Sequence, residues 1–141
     1  MQVQPYLNFY GRCEEAIEFY KQAMGAQVMF MLRNKEAPAE FAQQGPMGER
    51  IMHVSMKIGD SIVMASDGRA DQAPQGYAGI TISLAPETVE QGEKIFNALA
   101  NGGTVGFAWQ ATFWAKGFGM VTDKFGVPWM VNVENRDNAQ Q

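Results

Sequence analysis

The amino-acid sequence predicts an α+β protein in which a strand, a helix and three further strands occur in that order twice. Segments of strand length are interrupted by two stretches of helical periodicity. The segment 19–28 recurs weakly at 96–105, each with an aromatic residue, a glycine six positions later and then a valine-bearing strand. An aromatic hairpin, Thr112–Asn132, closes the second half. An internal duplication is therefore predicted.

Composition indicates one globular domain over 1–141. The chain has 141 residues, 46% of them apolar and 18% charged, which is enough for one hydrophobic core. The net charge of −4, with scattered basic residues, argues against a nucleic-acid partner. No apolar run is long enough to cross a membrane, so a cytoplasmic protein without a membrane partner is expected.

Periodicity defines the elements of the first module, about 1–67. A strand is predicted over Val3–Phe9 and another over Ala26–Arg33. Between them, Cys13–Met24 has an apolar stripe and early acidic residues, which predicts a helix. Its cysteine, the only one in the chain, is either activated by the helix dipole or an inert buried thiol. The loop Asn34–Glu49 is either a lid or a surface excursion.

The clearest hairpin joins Ile51–Ile58 to Ser61–Ser66 through the two-residue turn Gly59-Asp60. This turn would fix the pairing of the two strands and give each side of the hairpin a different character. One side is uniformly apolar and should pack on a helix. The other side is mixed and should face a cavity, and it carries His53 opposite Ser66 and Ser55 opposite Met64.

The second module, about 78–135, repeats the order. A strand is predicted over Gly79–Leu84 and a helix from Pro86 to about Asn101. Thr104–Trp109 is a further strand and is followed by the closing hairpin. The turn of that hairpin, Asp123–Gly126, should have the aspartate bonded to nearby backbone.

Several sequence segments together resemble a known superfamily. They are PYLNFYGRCEEAIEFYKQAMGA, MHVSMKIGDSIVMASD and TFWAKGFGMVTDKFGVPWMVN. Their order and spacing resemble the vicinal oxygen chelate superfamily, which contains glyoxalase I, bleomycin resistance proteins and extradiol dioxygenases. The closer resemblance is to its PhnB-like, or demethylubiquinone methyltransferase-like, branch.

The resemblance implies two βαβββ modules whose curved mixed sheets form a cavity, with the helices outside. It also implies a homodimer. The residues that would face the cavity are His53, Ser55, Met64, Ser66, Gly79, Thr81 and Ser83.

Metal-dependent members of the superfamily hold a divalent cation at four places, which fall here on Pro5, Met64, Gly79 and Met130. None of these is a hard or borderline ligand, and two thioethers could at most suit Cu(I). No metal and no cofactor are therefore expected. The sequence also lacks a nucleotide fingerprint and an S-adenosylmethionine motif, so it does not support methyl transfer.

His53 is the only histidine and the candidate catalytic residue, because histidine changes charge near neutral pH. A lone histidine is more often structural, and no acidic residue lies beside it on the predicted face. The aromatic residues of the closing hairpin either bind a ligand or fill the core. The candidate ligand-binding residues are Ser55, Met64, Ser66, Thr81, Trp114, Phe118, Met120, Trp129 and Met130.

Two functions follow. The first is a metal-free protein that binds a small apolar or aromatic molecule. The alternative is a metal-independent isomerase or lyase that uses His53 as acid and base.

Overall fold

The computed structural model describes residues 1–69 and 73–135 and contains two compact units that divide between Pro74 and Gln75. Each unit has one four-stranded mixed sheet and one α-helix, in the order strand, helix, three strands. The predicted α+β class with two βαβββ modules is confirmed. No helix in these two ranges has both the length and the apolar character that spanning a membrane requires.

The first unit comprises β1 (Tyr6–Asn8), α1 (Cys13–Met24), β2 (Gln27–Arg33), β3 (Ile51–Ile58) and β4 (Ser61–Ser66). The strands lie in the order β1-β4-β3-β2, and only the β1–β4 pair is parallel.

The second unit comprises β5 (Ile82–Leu84), α2 (Val89–Ala100), β6 (Thr104–Gln110), β7 (Ala115–Thr122) and β8 (Pro128–Glu134). Its order, β5-β8-β7-β6 with β5 and β8 parallel, repeats that of the first unit.

The predicted β3–β4 hairpin has the expected register. Ser55 lies opposite Met64 and Val54 opposite Ala65. Continuing that register places His53 opposite Ser66. Val54 and Ala65 are completely buried, whereas Ser55 and Met64 are only partly buried. The two sides of the hairpin therefore differ as the alternation predicts, with the apolar side in the core beside α1.

Three predicted element starts are three residues too early, and that of β2 is one residue too early, at Ala26 instead of Gln27. β1 begins at Tyr6 and not at Val3, and β5 begins at Ile82 and not at Gly79. Gly79 has φ of 78° and lies in a turn before the strand. The second helix begins at Val89 and not at Pro86, because Thr88 caps it: its hydroxyl accepts a hydrogen bond from the Gln91 amide at 3.1 Å.

The predicted loop between β2 and β3 contains two short 3-10 helices, Asn34–Glu36 and Gly45–Glu49. The Asn34 side chain donates to the Met47 carbonyl at 2.8 Å, and Lys35 pairs with Glu49 at 2.6 Å. The two ends of the segment are thus tied to each other. Its role as a lid stays a prediction.

A buried carboxylate, Asp67, joins three parts of the first unit. Its Oδ1 accepts hydrogen bonds from the amides of Gly11 at 2.9 Å and Cys13 at 2.8 Å, and its Oδ2 accepts one from Ile51 at 2.7 Å. Arg12, which precedes α1, supplies no side-chain cap. Asp67 thus satisfies a free amide at the helix start and places a negative charge at the positive end of the dipole.

The Cys13 thiol is fully buried beside this carboxylate. Burial, then the negative charges of Asp67 and Glu14, raise the pKa of the thiol above its usual range. The protonated form is therefore favoured, and of the two readings of Cys13 the structure supports the inert buried thiol.

The core of the second unit is built around close contacts between aromatic rings and glycines. A Cβ added to Gly119 would lie 2.5 Å from the Phe96 ring, and one on Gly117 would meet the Trp109 ring. The rings of Phe96 and Trp109 pack against each other, with centroids 5.7 Å apart. Glycine at these two positions of β7 allows the Phe96 ring of α2 and the Trp109 ring of β6 to lie directly against the β7 backbone.

We expect Asp67→Asn to lower the free energy of unfolding by about 2–4 kcal/mol, because the amide group would face the Ile51 N–H and the bonds to a charged acceptor would be lost. Urea denaturation measures the change. Asp60→Asn, the same replacement at the exposed β3–β4 turn, should change stability by less than about 0.5 kcal/mol. Equal effects of the two replacements would contradict this role for Asp67.

We also expect alkaline pH to destabilise the wild type more than Cys13→Ala. The folded state raises the thiol pKa from its ordinary value of 9.0, so the stabilisation is complete below that pH and is lost as pH rises above it. The unfolded chain then releases a proton that the folded chain retains, at up to about 1.4 kcal/mol per pH unit. Urea denaturation of both proteins at pH 8, 9 and 10, with a reducing agent, measures the difference. Parallel losses would show that the thiol does not contribute.

Candidate functional site

The candidate site residues lie mainly on the side of each sheet that faces away from its helix. In the first unit this side carries Ser55 and Met64, and in the second it carries Met120 and Met130, which lie opposite each other across β7 and β8. The intervening residues, such as Val131, are buried on the helix side. Strand alternation thus separates a core face from a second face in both sheets.

The second face of the first sheet carries what we call the His53 cluster: Tyr6, Phe30, His53, Ser55 and Met64. The Tyr6 hydroxyl lies 3.3 Å from His53 Nδ1, and the Ser55 hydroxyl lies 3.1 Å from His53 Nε2. The rings of Tyr6 and Phe30 lie 5.7 Å and 6.2 Å from the imidazole. Both imidazole nitrogens therefore have a hydroxyl partner, which orients the ring. Which nitrogen holds the proton decides the direction of both bonds.

Ser66 shares this face but is used differently. Its hydroxyl donates to Asn8 Oδ1 at 3.0 Å and accepts from the Gly68 amide at 3.0 Å. Ser66 is buried, and its hydroxyl links β1 to the segment that follows β4. Its bonds are those of a structural residue.

The second face of the other sheet carries the aromatic cluster, which we define as Phe107, Phe113, Trp114 and Phe118. Phe118 contacts both Phe107 and Trp114, with ring centroids 5.3 Å and 5.2 Å apart, and Trp114 contacts Phe113 at 4.8 Å. All three pairs are edge to face, an arrangement that aromatic rings favour. Trp114 is 41% exposed and Phe107 36%. A flat molecule could therefore lie against these rings.

Asn132 lies on the same face, directly opposite Phe118. Its carboxamide oxygen is buried and has no hydrogen-bond partner, and no other buried side-chain nitrogen or oxygen in the described ranges lacks one. Leaving such an acceptor unpaired costs about 1–3 kcal/mol. Residue 132 is therefore a polar position with an unpaired acceptor beside the aromatic cluster.

Two predicted ligand-binding residues lie apart from these clusters. Trp129 is 1% exposed on the helix side of β8, where its indole N–H donates to Asp123 Oδ2 at 2.8 Å. We therefore leave Trp129 out of the candidate site: strand alternation places it on the face opposite Met130. Thr81 is exposed and precedes β5.

The chain matches the protein-family model described as 3-demethylubiquinone-9 3-methyltransferase over residues 1–132. It belongs to this family. The protein YjdN from Escherichia coli K12 is 39% identical to it over 148 residues, which cover 99% of this chain and 100% of YjdN. The predicted branch of the superfamily is thus confirmed.

Two solved structures of lower identity share the fold. The PhnB protein from Bacillus cereus has a TM-score of 0.78 at 21% identity, covering 94% of this chain and 99% of that one. A glyoxalase-related enzyme from Fulvimarina pelagi has a TM-score of 0.60 at 14% identity, covering 95% and 88%. The fold is therefore glyoxalase-like.

The sheet register shows which residues lie opposite Met64 and Met130, two of the positions that the resemblance relates to metal ligands. Tyr6 lies opposite Met64, and Ser83 lies opposite Met130. A phenol or hydroxyl next to a thioether does not match the imidazole and carboxylate ligands of divalent metals. Within 1–69 and 73–135 there is also no group of three or more His, Cys, Asp or Glu side chains placed to hold a metal ion.

Sequence reasoning missed five residues of these faces: Tyr6, Phe30, Phe107, Phe113 and Asn132. The parallel β1–β4 pairing brings Tyr6 to His53, and a register shift between Val28 and Phe30 precedes the position at which Phe30 meets Ser55. Neither feature leaves a local signal in the sequence. Asn132 could have been found, because it is a carboxamide flanked by Val131 and Val133 in a largely apolar strand.

Proposed function

We propose that the protein binds a small apolar or aromatic molecule and that it does so without a metal ion. The observation that carries the proposal is the aromatic character of the sheet faces away from the helices. Tyr6 and Phe30 are 46% and 56% exposed in the His53 cluster, and Trp114 and Phe107 are similarly exposed in the aromatic cluster. Apolar surface of this kind favours a ligand with apolar area to bury.

The polar groups on these faces favour binding over metal-assisted chemistry. Beside Met64 and Met130 the neighbouring strands offer a phenol and a hydroxyl, which are poor ligands for a Lewis-acid metal. The family description names a methyl transfer, but the sequence has no motif for a methyl donor such as S-adenosylmethionine. A binding protein therefore accounts for more of these residues than a methyltransferase does.

The probe 2-naphthol tests this proposal. We expect saturable binding in isothermal titration calorimetry, and we expect Trp114→Ala to weaken the affinity about tenfold, since one aromatic contact is worth roughly 1 kcal/mol beyond its buried area. Phe41→Ala is the matched control, because Phe41 is an exposed aromatic residue between β2 and β3. Absence of binding, or an equal loss in the control, would contradict the proposal.

A second candidate function is a metal-independent isomerase or lyase, and the Tyr6–His53–Ser55 hydrogen-bonded chain favours it. A histidine held by hydroxyls on both nitrogens is oriented as a general base or acid should be. It would remove a proton from the carbon next to a carbonyl group and return a proton from solvent.

Proton abstraction can be detected without knowing the natural substrate. If His53 is a base, the wild type should incorporate deuterium from solvent into dihydroxyacetone or acetoin faster than buffer does, followed by proton NMR. His53→Ala should slow this exchange about 10²–10⁴-fold. Ser61→Ala, which removes an exposed hydroxyl at the turn end of β4, should not. Exchange at the buffer rate in the wild type would exclude proton abstraction from these two substrates and leave binding as the function.

A further inference from the structure

The position of Asn132 distinguishes it from its neighbours on β8. Val131 and Val133 are buried on the helix side, whereas Asn132 lies on the second face opposite Phe118. Phe118 is the central ring of the aromatic cluster, since it contacts both Phe107 and Trp114. The carboxamide of Asn132 is therefore the polar group beside the rings that the proposed function assigns to the ligand.

The equivalent position in the first unit shows what a structural residue does there. Met64 and Met130 both lie on the strand that pairs in parallel with the first strand of their unit, and Ser66 and Asn132 follow them by two residues. Ser66 has both a donor and an acceptor partner from its own unit. Asn132 has no partner for its oxygen. The two units thus differ at this position by one unused hydrogen-bond acceptor.

We propose that the Asn132 oxygen is a specificity-determining group that accepts a hydrogen bond from an N–H or O–H of the ligand. The ligand would be a planar aromatic molecule with a donor at its edge, and its ring would lie against the aromatic cluster. This inference rests on the proposed function and narrows it from aromatic molecules in general to those that can donate. A site built to bond a donor discriminates against analogues that lack one, because its polar group is then left unpaired.

Asn132 can reach such a ligand because the residue as a whole is only partly buried. The terminal torsion of asparagine is broad, so a modest rotation of the carboxamide can align its oxygen with an arriving donor. An apolar residue of similar size would fill the same space without an unpaired atom. A purely structural role therefore gives no reason for asparagine at this position.

A pair of probes that differ in one donor tests the assignment. 2-Naphthol and 2-methoxynaphthalene have the same ring, and only 2-naphthol donates a hydrogen bond. In isothermal titration calorimetry we expect the wild type to bind 2-naphthol roughly five- to tenfold more tightly, the ratio for one neutral hydrogen bond. In Asn132→Leu this ratio should fall to about one through loss of affinity for 2-naphthol.

The control is Asn97→Leu, the same chemical change at an exposed position of α2, which should keep the wild-type ratio. Urea denaturation without ligand should show Asn132→Leu at least as stable as the wild type, because the unpaired oxygen is gone. Should the leucine variant fail to fold, Asn132→Val offers a β-branched residue suited to a strand.

The possible outcomes separate this inference from the proposed function. If both probes bind the wild type with equal affinity, or if Asn132→Leu keeps the preference for 2-naphthol, the role of Asn132 is overturned while small-molecule binding stands. If neither probe binds the wild type, both the proposed binding function and the proposed role of Asn132 are overturned.

Discussion

The first unit depends on the carboxylate of Asp67. Asp67 directly follows β4, and its two oxygens accept hydrogen bonds from the amides at the start of α1 and the start of β3. The first residues of α1 and β3 are thereby held close to the same carboxylate. The Cys13 thiol lies beside it, and burial raises the pKa of that thiol. His53 lies two residues beyond Ile51, the anchored residue of β3, and the parallel β1–β4 pairing brings Tyr6 to it. Asp67 thus anchors β3 two residues before the histidine of the His53 cluster.

The second unit uses an aspartate of the same type for a local purpose. Asp123 accepts hydrogen bonds from the Phe125 and Val127 amides at 2.9 Å and 3.0 Å, which confirms the predicted turn, and from the Trp129 indole. The last bond holds Trp129 in the core. Strand alternation then turns Met130 and Asn132 to the opposite face. A turn residue therefore decides which side chains of β8 are available to a ligand.

The sequence predicts an element well where neighbouring residues determine it. It predicts less well which residues meet when strands far apart in the chain pair. The β3–β4 register follows from Gly59-Asp60, because a two-residue turn leaves one way to pair the strands. Tyr6 and Phe30 join His53 through a parallel pairing and a strand irregularity, and neither produces a local pattern. Trp129 lies in the core although its aromatic character suggests a ligand surface, and its alternation with Val131 already indicates this position.

The sheet faces that point away from the helices differ in whether their polar groups already have hydrogen-bond partners. In the His53 cluster, Tyr6 and Ser55 already occupy both nitrogens of the imidazole, so a ligand must compete with an internal bond. Beside the aromatic cluster, the Asn132 oxygen has no internal partner to displace. A ligand donor gains a full hydrogen bond there, whereas at His53 it gains only the difference between two bonds. Considered separately, the aromatic cluster with Asn132 offers a ligand both rings and an unpaired acceptor, whereas the His53 cluster offers mainly its rings.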